Sequence, residues 1–294
     1  MCVFVSIMPK KGVDMTDKKY PLDITVACII GLEGGFTLHK DYLSMTRFFP
    51  ANLDLVHEWN LTLKKTLKEP EFEHCISTKY KMLLKLSPAN VARIIDRLAV
   101  PYRSYYYAKR FLDAAEFVYE HTDPGAAVID FGRGLSPWCH IIRKNSTQPI
   151  GIYTFDTDKT ANRVFEVVSK KMGLPMPSIN EEPDIIMFDR DIFVSLGTFA
   201  YLTKEDQIMK LAKAAGQYRY LFIEMDKPNA IQPDQKLVKK LGTQYHSGLS
   251  EMGIKGILGE EIPFTLQKFG ADVKDAYLRG KLGLDKVTER ILVR

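Results

Sequence analysis

One stretch constrains the fold of this chain more than any other. Residues 126–137 read AAVIDFGRGLSP, a helix-length segment follows, and residues 150–158 read IGIYTFDTD. The first run has the character of a buried strand that ends at Asp130 and turns on Gly132 and Gly134. The second run ends in an acidic pair, Asp156 and Asp158. A strand, a Gly-x-Gly turn, a helix and a second strand closed by an acid form a unit that holds nucleoside-bearing ligands. Its glycines let the backbone come close to the ligand, and its carboxylate accepts from both ribose hydroxyls. A Gly-x-Gly alone says little; the spacing of the whole unit is what makes it informative.

From residue 126 onward strand-like and helix-like segments alternate. Strands are predicted at 126–131, 150–155, 192–197 and 220–225, each a nearly continuous apolar run of the kind that a parallel sheet covered on both faces requires. Between the last two runs Thr203 reads as an N-cap with Asp206 three residues on, Ile208, Leu211, Ala212 and Ala215 as the apolar stripe, and Gly216 as the stop. A further helix is predicted after Pro263, running to Phe269 and Gly270. Residues 276–282 and 288–294, separated by GLDK, read as a hairpin that finishes the sheet. Where a third strand should follow the second helix, within 172–191, the sequence offers only DIIMF at 184–188, as a shortened strand or as part of a loop.

The pattern before the sheet is different. Residues 1–20 are polar and lysine-rich and read as a loose or edge segment, and from about 37 to 121 the pattern is helical. Ser87 and Pro88 make an N-cap and first-turn pair, after which Val91, Ile94, Ile95 and Leu98 recur on one face. The next helix, 105–121, sets Phe111, Leu112, Ala115, Val118 and Tyr119 against a face of Lys109, Asp113, Glu116 and Glu120. The expected organisation is a helical cap over 21–121 and an α/β domain over 122–294, with a doubly wound, mostly parallel Rossmann-like sheet and a C-terminal antiparallel hairpin.

Composition narrows the class. The apolar run at 24–32 is far too short to span a bilayer, and the opening MCVFVSIM lacks a basic segment ahead of it. Cys2, Cys28, Cys75 and Cys139 show no metal or disulfide spacing, which predicts a reduced, cytoplasmic protein. A net charge of +5 without arginine-rich or aromatic clustering predicts no nucleic-acid partner and no membrane partner.

The glycine turn by itself suits either NAD or S-adenosylmethionine. A dinucleotide turn wants a third small residue for close helix packing, and here Pro137 followed by Trp138 holds that place. S-adenosylmethionine has no pyrophosphate to seat, and a terminal hairpin fits its sheet better. An NAD-binding oxidoreductase is therefore the less favoured alternative.

Further segments occur in an order that resembles the leucine carboxyl methyltransferase family. They are Arg110-Phe-Leu-Asp113 before the first strand, Gly132-Arg-Gly134-Leu-Ser136-Pro137 and Phe155-Asp156-Thr-Asp158. Phe193 to Thr203, which contains Gly197, Tyr201 and Leu202, and Glu261-Ile-Pro-Phe to Phe269-Gly270 complete the set, so the likeness spans about 105–294. The resemblance implies an S-adenosylmethionine-dependent O-methyltransferase with a small-molecule or protein-carboxylate acceptor. It departs at Leu196, where the family carries a glutamate lining the methionine end of the cofactor, and in a contracted third-strand segment that leaves Asp189 or Asp191 as substitutes for an adenine-contacting acid. These departures keep a second reading open, a degenerate methyltransferase fold used for binding.

Roles follow from the chemistry. Methyl transfer is an in-line displacement at a sulfonium, so positioning carries most of the catalysis and a carboxylate acceptor needs no base. Gly132 and Gly134 are placed under the cofactor, with Gly197 beside it. Asp156 or Asp158 accepts the ribose hydroxyls, the other serving as a helix N-cap; the resemblance favours Asp158 and position at the strand end favours Asp156. Asp130 is a candidate for the cofactor ammonium or an ordinary surface or capped carboxylate. Arg110 is the candidate for the cofactor carboxylate, which a guanidinium matches bidentately. Tyr201 is the candidate catalytic residue in the acceptor pocket, Tyr102, Tyr105, Tyr106 and Tyr107 a possible roof, and His140 a satisfied or exposed histidine rather than a base.

Overall fold

Four of the apolar runs pair side by side in parallel, as buried strands should. The structure is a computed structural model that describes residues 22–38, 49–98, 103–146, 149–179, 191–225, 248–259, 264–268 and 289–293. The strands are β1 (Ala127–Phe131), β2 (Gly151–Phe155), β3 (Ser178–Ile179), β4 (Ile192–Ser195), β5 (Tyr220–Met225), β6 (Phe264–Lys268) and β7 (Glu289–Val293). They lie in the order β3-β2-β1-β4-β5-β7-β6. The ladders from β3 through β5 are parallel, and β7 runs antiparallel to both β5 and β6. All five residues of β1 are buried. Val128 enters a core shared with the helices of the N-terminal half, and Ile129 and Phe131 enter a second core on the opposite face. The predicted doubly wound sheet, mostly parallel with an antiparallel C-terminal pair, is what forms.

Two strand assignments differ from the sequence expectation. The third strand is Ser178–Ile179, two residues paired with β2; the run at 184–188 lies outside the described residues. The segment after Pro263 is strand, not helix: Phe264–Lys268 pairs along its length with Glu289–Val293. Short amphipathic runs containing Phe and Thr take either form, and here the ladder to β7 satisfies backbone groups that an isolated turn of helix would leave to water. The predicted hairpin therefore finishes the sheet with a different first strand, and residues 276–282 lie outside the described residues.

The helices are α1 (Asp23–Leu38), α2 (Phe49–Thr66), α3 (Thr78–Leu83), α4 (Pro88–Leu98), α5 (Arg103–His121), α6 (Trp138–Asn145), α7 (Lys159–Lys171), α8 (Lys204–Gln217) and α9 (Glu251–Leu258). The apolar run at 24–32 is part of α1, ahead of where the helical pattern was expected to begin. Its Val26, Ile29, Ile30 and Leu32 are buried, and α1 packs on α4 and α5; no described helix is long and apolar enough to cross a membrane. Ser87 takes its predicted place before α4, its hydroxyl accepting from Asn90 N at 3.4 Å. Thr203 likewise caps α8, accepting from Asp206 N at 3.1 Å and donating to its carboxylate at 2.8 Å.

The buried side of α8 is rotated from the predicted one. Gln207, Leu211 and Ala214 face the core, and Ile208 is exposed. Gln207 earns burial because its amide donates to Phe199 O and Leu202 O at 3.0 and 3.1 Å, closing the short 3-10 turn Thr198–Tyr201 that precedes the helix. On the N-terminal side, one core cluster joins Leu22, Val56, Leu63 and Phe111 to Val128, Val164 and Val194, so the helical segment shares an interior with the sheet.

Candidate functional site

The strand order reverses between β1 and β4: the chain steps outward through β2 and β3 from one, and through β5 from the other. At such a switch point the loops after the two strands diverge and leave a crevice at their carboxyl ends, where open α/β sheets place their ligands. Gly132 follows β1 and Gly197 follows β4, so both predicted glycines sit at the mouth of this crevice.

The turn after β1 is tied to the end of β2. Gly132 N donates to Phe155 O at 2.8 Å. Gly134 N donates to Asp156 Oδ2 at 2.6 Å and Asp158 N to Asp156 Oδ1 at 2.8 Å. Asp158 takes the other predicted role: its Oδ1 accepts from Thr160 N and Ala161 N at 2.9 and 3.0 Å and caps α7. The two acids therefore do different work. Asp156 is half-buried at the strand end with each oxygen held by one backbone amide, and a carboxylate has about four acceptor positions in all. Acceptor capacity is left over for a diol, in a rotamer already fixed.

Gly132 has a left-handed φ of 81°. A Cβ there would stand 1.8 Å from Thr198 Oγ1. Thr198, not singled out by the sequence, packs into this place and donates to Phe131 O at 3.1 Å. The N-terminal helices reach the turn as well. Trp59 Nε1 of α2 donates to Leu135 O at 3.0 Å, and Thr25 of α1 lies 3.3 Å from where a Gly134 Cβ would be.

Asp130 is neither at the surface nor capped. It is 4 % exposed, and its Oδ2 has no hydrogen-bond partner among the described residues. Burial pushes its carboxyl up to about 7, with Arg133 opposing and Asp156 adding. Thr154, its registered neighbour on β2, has an equally buried hydroxyl with no partner among the described residues. Arg133, the middle residue of the Gly-x-Gly turn, is buried. Its guanidinium lies 3.7 Å from the Phe165 ring centroid, donates to Gly134 O at 2.8 Å and bonds Asn162.

Arg110 reaches Gly197 from α5. Its Nη1 donates to Glu224 Oε2 at 3.1 Å, the two side chains being 12 % and 2 % exposed. A Cβ on Gly197, whose φ is 78°, would lie 3.1 Å from Arg110 Nη1 and 3.7 Å from Glu224 Oε2. A buried glutamate thus stands on β5, one strand over from Leu196. The sequence reading missed Glu224; the one signal for it is an acid inside the apolar run YLFIEM, which calls for a buried cation without saying which.

The remaining candidates separate from this group. Tyr201 is 42 % exposed at the end of the 3-10 turn. His140 is a satisfied core residue: Nε2 lies 3.0 Å from Ser169 Oγ and its ring stacks on Phe165. Burial, then Arg143 and Arg133, bring its pKa down to about 4. Asp191 stands before β4, at the opposite edge of the sheet, where its carboxylate accepts from Ala127 N at 3.3 Å; it cannot contact an adenine in the crevice. Asp189 and Tyr102 lie outside the described residues, as do the side chains of Tyr105, Tyr106 and Tyr107. Among the described residues no group of three metal-ligating side chains gathers.

No protein-family model matches the sequence, and no curated protein matches it. Similar solved structures do exist. One is the magnesium protoporphyrin IX methyltransferase from Synechocystis PCC 6803 with bound SAH, 14% identical over 63% of this chain and 82% of that one, with a TM-score of 0.45. The cyclopropane synthase MmaA2 from Mycobacterium tuberculosis is 11% identical over 64% and 84%, with a TM-score of 0.45. Geranyl diphosphate methyltransferase in complex with SAM is 12% identical over 64% and 86%, with a TM-score of 0.42.

Proposed function

We propose that this protein is an S-adenosylmethionine-dependent methyltransferase and, within that class, an O-methyltransferase of the leucine carboxyl methyltransferase type. Its acceptor would be a carboxylate or hydroxyl of a small molecule or a protein terminus. The observation that carries the proposal is Asp156. Its carboxylate stands at the carboxyl end of β2, held by Gly134 N and Asp158 N and half-open to solvent, which suits a vicinal diol. Asp158, occupied with capping α7, is the weaker ribose candidate.

The buried groups also fit such a cofactor. Asp130 Oδ2 is buried with no partner among the described residues, and Arg110 supplies a guanidinium beside Gly197. When bound, S-adenosylmethionine supplies an electrophilic methyl group on a sulfonium. This chain's part is to bind and orient. Asp156 fixes the ribose, Gly132 and Gly134 give backbone approach, and Arg110 takes a carboxylate. With a carboxylate acceptor no side chain has to move a proton.

One observation favours the second reading, a fold of this type that binds without transferring. Thr198 fills the space over Gly132 that the turn would otherwise offer a ligand. Isothermal titration with S-adenosylhomocysteine, NAD and NADP separates the alternatives. Micromolar binding of the first alone is expected. Asp156→Ala should weaken it about tenfold or more, the cost of a charge-assisted hydrogen bond. Asp158→Ala should leave affinity unchanged and cost about 1 kcal/mol of stability through the lost cap. Binding of NAD in its place, or of none of the three, would reject the proposal.

A further inference from the structure

The outer side of the glycine turn is gripped by residues far from it in sequence. Ser136 N donates to Arg133 O at 3.3 Å, so 133–136 is a four-residue turn with Gly134 second, at a φ of 58°. Turns of types I′ and II′ share a positive φ at that place and differ in which way the next peptide faces. A glycine tolerates either, so its surroundings have to choose. Two side chains do so. Arg133 Nη1 donates to Gly134 O at 2.8 Å, and Trp59 Nε1 of α2 donates to Leu135 O at 3.0 Å. One ring links the two: Phe165 lies 3.7 Å from the Arg133 guanidinium and packs on Trp59 with centroids 5.0 Å apart.

The peptide that opens this turn carries Gly134 N, the donor that holds Asp156 Oδ2 at 2.6 Å. The set of the turn therefore sets the carboxylate. Burial alone does not call for the indole bond. The chain has two tryptophans, both fully buried, and Trp138 Nε1 has no partner among the described residues. Trp59 instead reaches across 76 positions of sequence to a turn carbonyl. Thr25 of α1 closes the same side, its Cγ2 3.3 Å from where a Gly134 Cβ would stand.

We propose that Trp59 is a positioning residue, which acts through Leu135 and Gly134 to hold Asp156 ready for a nucleoside diol and so makes α2 a working part of the nucleoside site. The inference rests on the methyltransferase reading and adds to it a residue that touches no ligand. Without the indole N–H the turn is shared among several peptide orientations. Affinity then falls by the fraction of chains whose turn is competent to bind.

The test is isothermal titration of S-adenosylhomocysteine into the intact chain, as wild type, Trp59→Phe, Asp156→Ala and the double variant. Trp59→Phe keeps an aromatic ring and loses the donor, and should bind about fivefold more weakly than wild type. If Trp59 acts through Asp156, the double variant binds no more weakly than Asp156→Ala alone, whereas two independent losses would multiply. Multiplied losses, or wild-type affinity in Trp59→Phe, overturn the assignment. Val56→Ala, a core truncation on the same helix, should lower the melting temperature and leave affinity within about twofold. Affinity that falls in step with stability in both variants makes Trp59 a core residue only and overturns the assignment too. Should Trp59→Phe fail to fold, wild type decides: S-adenosylhomocysteine should slow hydrogen exchange at the Trp59 indole more than at the core amides of β1, and equal slowing overturns it. If wild type binds the ligand and these outcomes go against Trp59, the nucleoside site survives and its positioning role fails. If wild type does not bind, the methyltransferase reading itself fails, and this inference with it.

Discussion

Asp130→Asn is expected to melt well above the wild-type chain at pH 8 and together with it at pH 4. Burial raises the Asp130 carboxyl from 3.8 to about 7 in the folded protein. The native state therefore holds a proton that the unfolded chain has released across this window. Stability from this group is fully present below pH 3.8 and is lost as pH rises through 7. A shift of that size corresponds to about 4 kcal/mol, which asparagine, unable to ionise, would recover above pH 7. His140 acts in the opposite sense. Its folded pKa is depressed from 6.5 to about 4, so its contribution is present above pH 6.5 and is lost as pH falls toward 4. Between about pH 4 and 6.5 the two slopes offset each other, and wild type should be nearly flat. Removing the Asp130 slope should expose that of His140, so the variant gains stability as pH rises through the same range. Urea melts from pH 4 to pH 8 measure this directly. Parallel profiles for wild type and variant would show that Asp130 is ionised in the folded chain.

Gly132→Ala carries the second large effect. An L-residue at φ 81° costs about 1–2 kcal/mol by itself. The added methyl would also stand 1.8 Å from Thr198 Oγ1 and 2.6 Å from its Cβ and Cγ2, so Thr198 must leave. Its hydrogen bonds to Phe131 O and Gly132 O would go with it. Overpacking, strain and the lost bonds together come to about 4 kcal/mol. Thr198→Gly in the same chain should relieve the clash and leave only the φ cost, so a double-mutant cycle should show a large favourable coupling. If Gly132→Ala melts with wild type, the turn does not have this shape.

The same two residues show what could be read in advance. Gly132, Gly134 and the acid after β2 were legible because each is forced by local geometry: a left-handed turn, a strand end, a cap. The parallel strands were legible because two-sided burial makes their sequence continuously apolar. Thr198, Arg133 and Glu224 were not, since each owes its role to a neighbour distant in the chain. Thr198 is placed by the parallel pairing of β1 with β4, Arg133 by Phe165 and Asn162, and Glu224 by Arg110. The segment after Pro263 was misread for the same reason: its form is settled by pairing with β7, whose sequence lies some twenty residues on. The rotated face of α8 came from a buried glutamine that polarity alone places outside.

The most direct measurement is a crystal structure of the chain grown with S-adenosylhomocysteine. The account predicts the ribose against Asp156, the nucleoside over the turn at Gly132 and Gly134, and the ligand's carboxylate at Arg110. Ligand density elsewhere on the molecule, or a ribose bound by Asp158 with Asp156 still turned to the backbone, would contradict it.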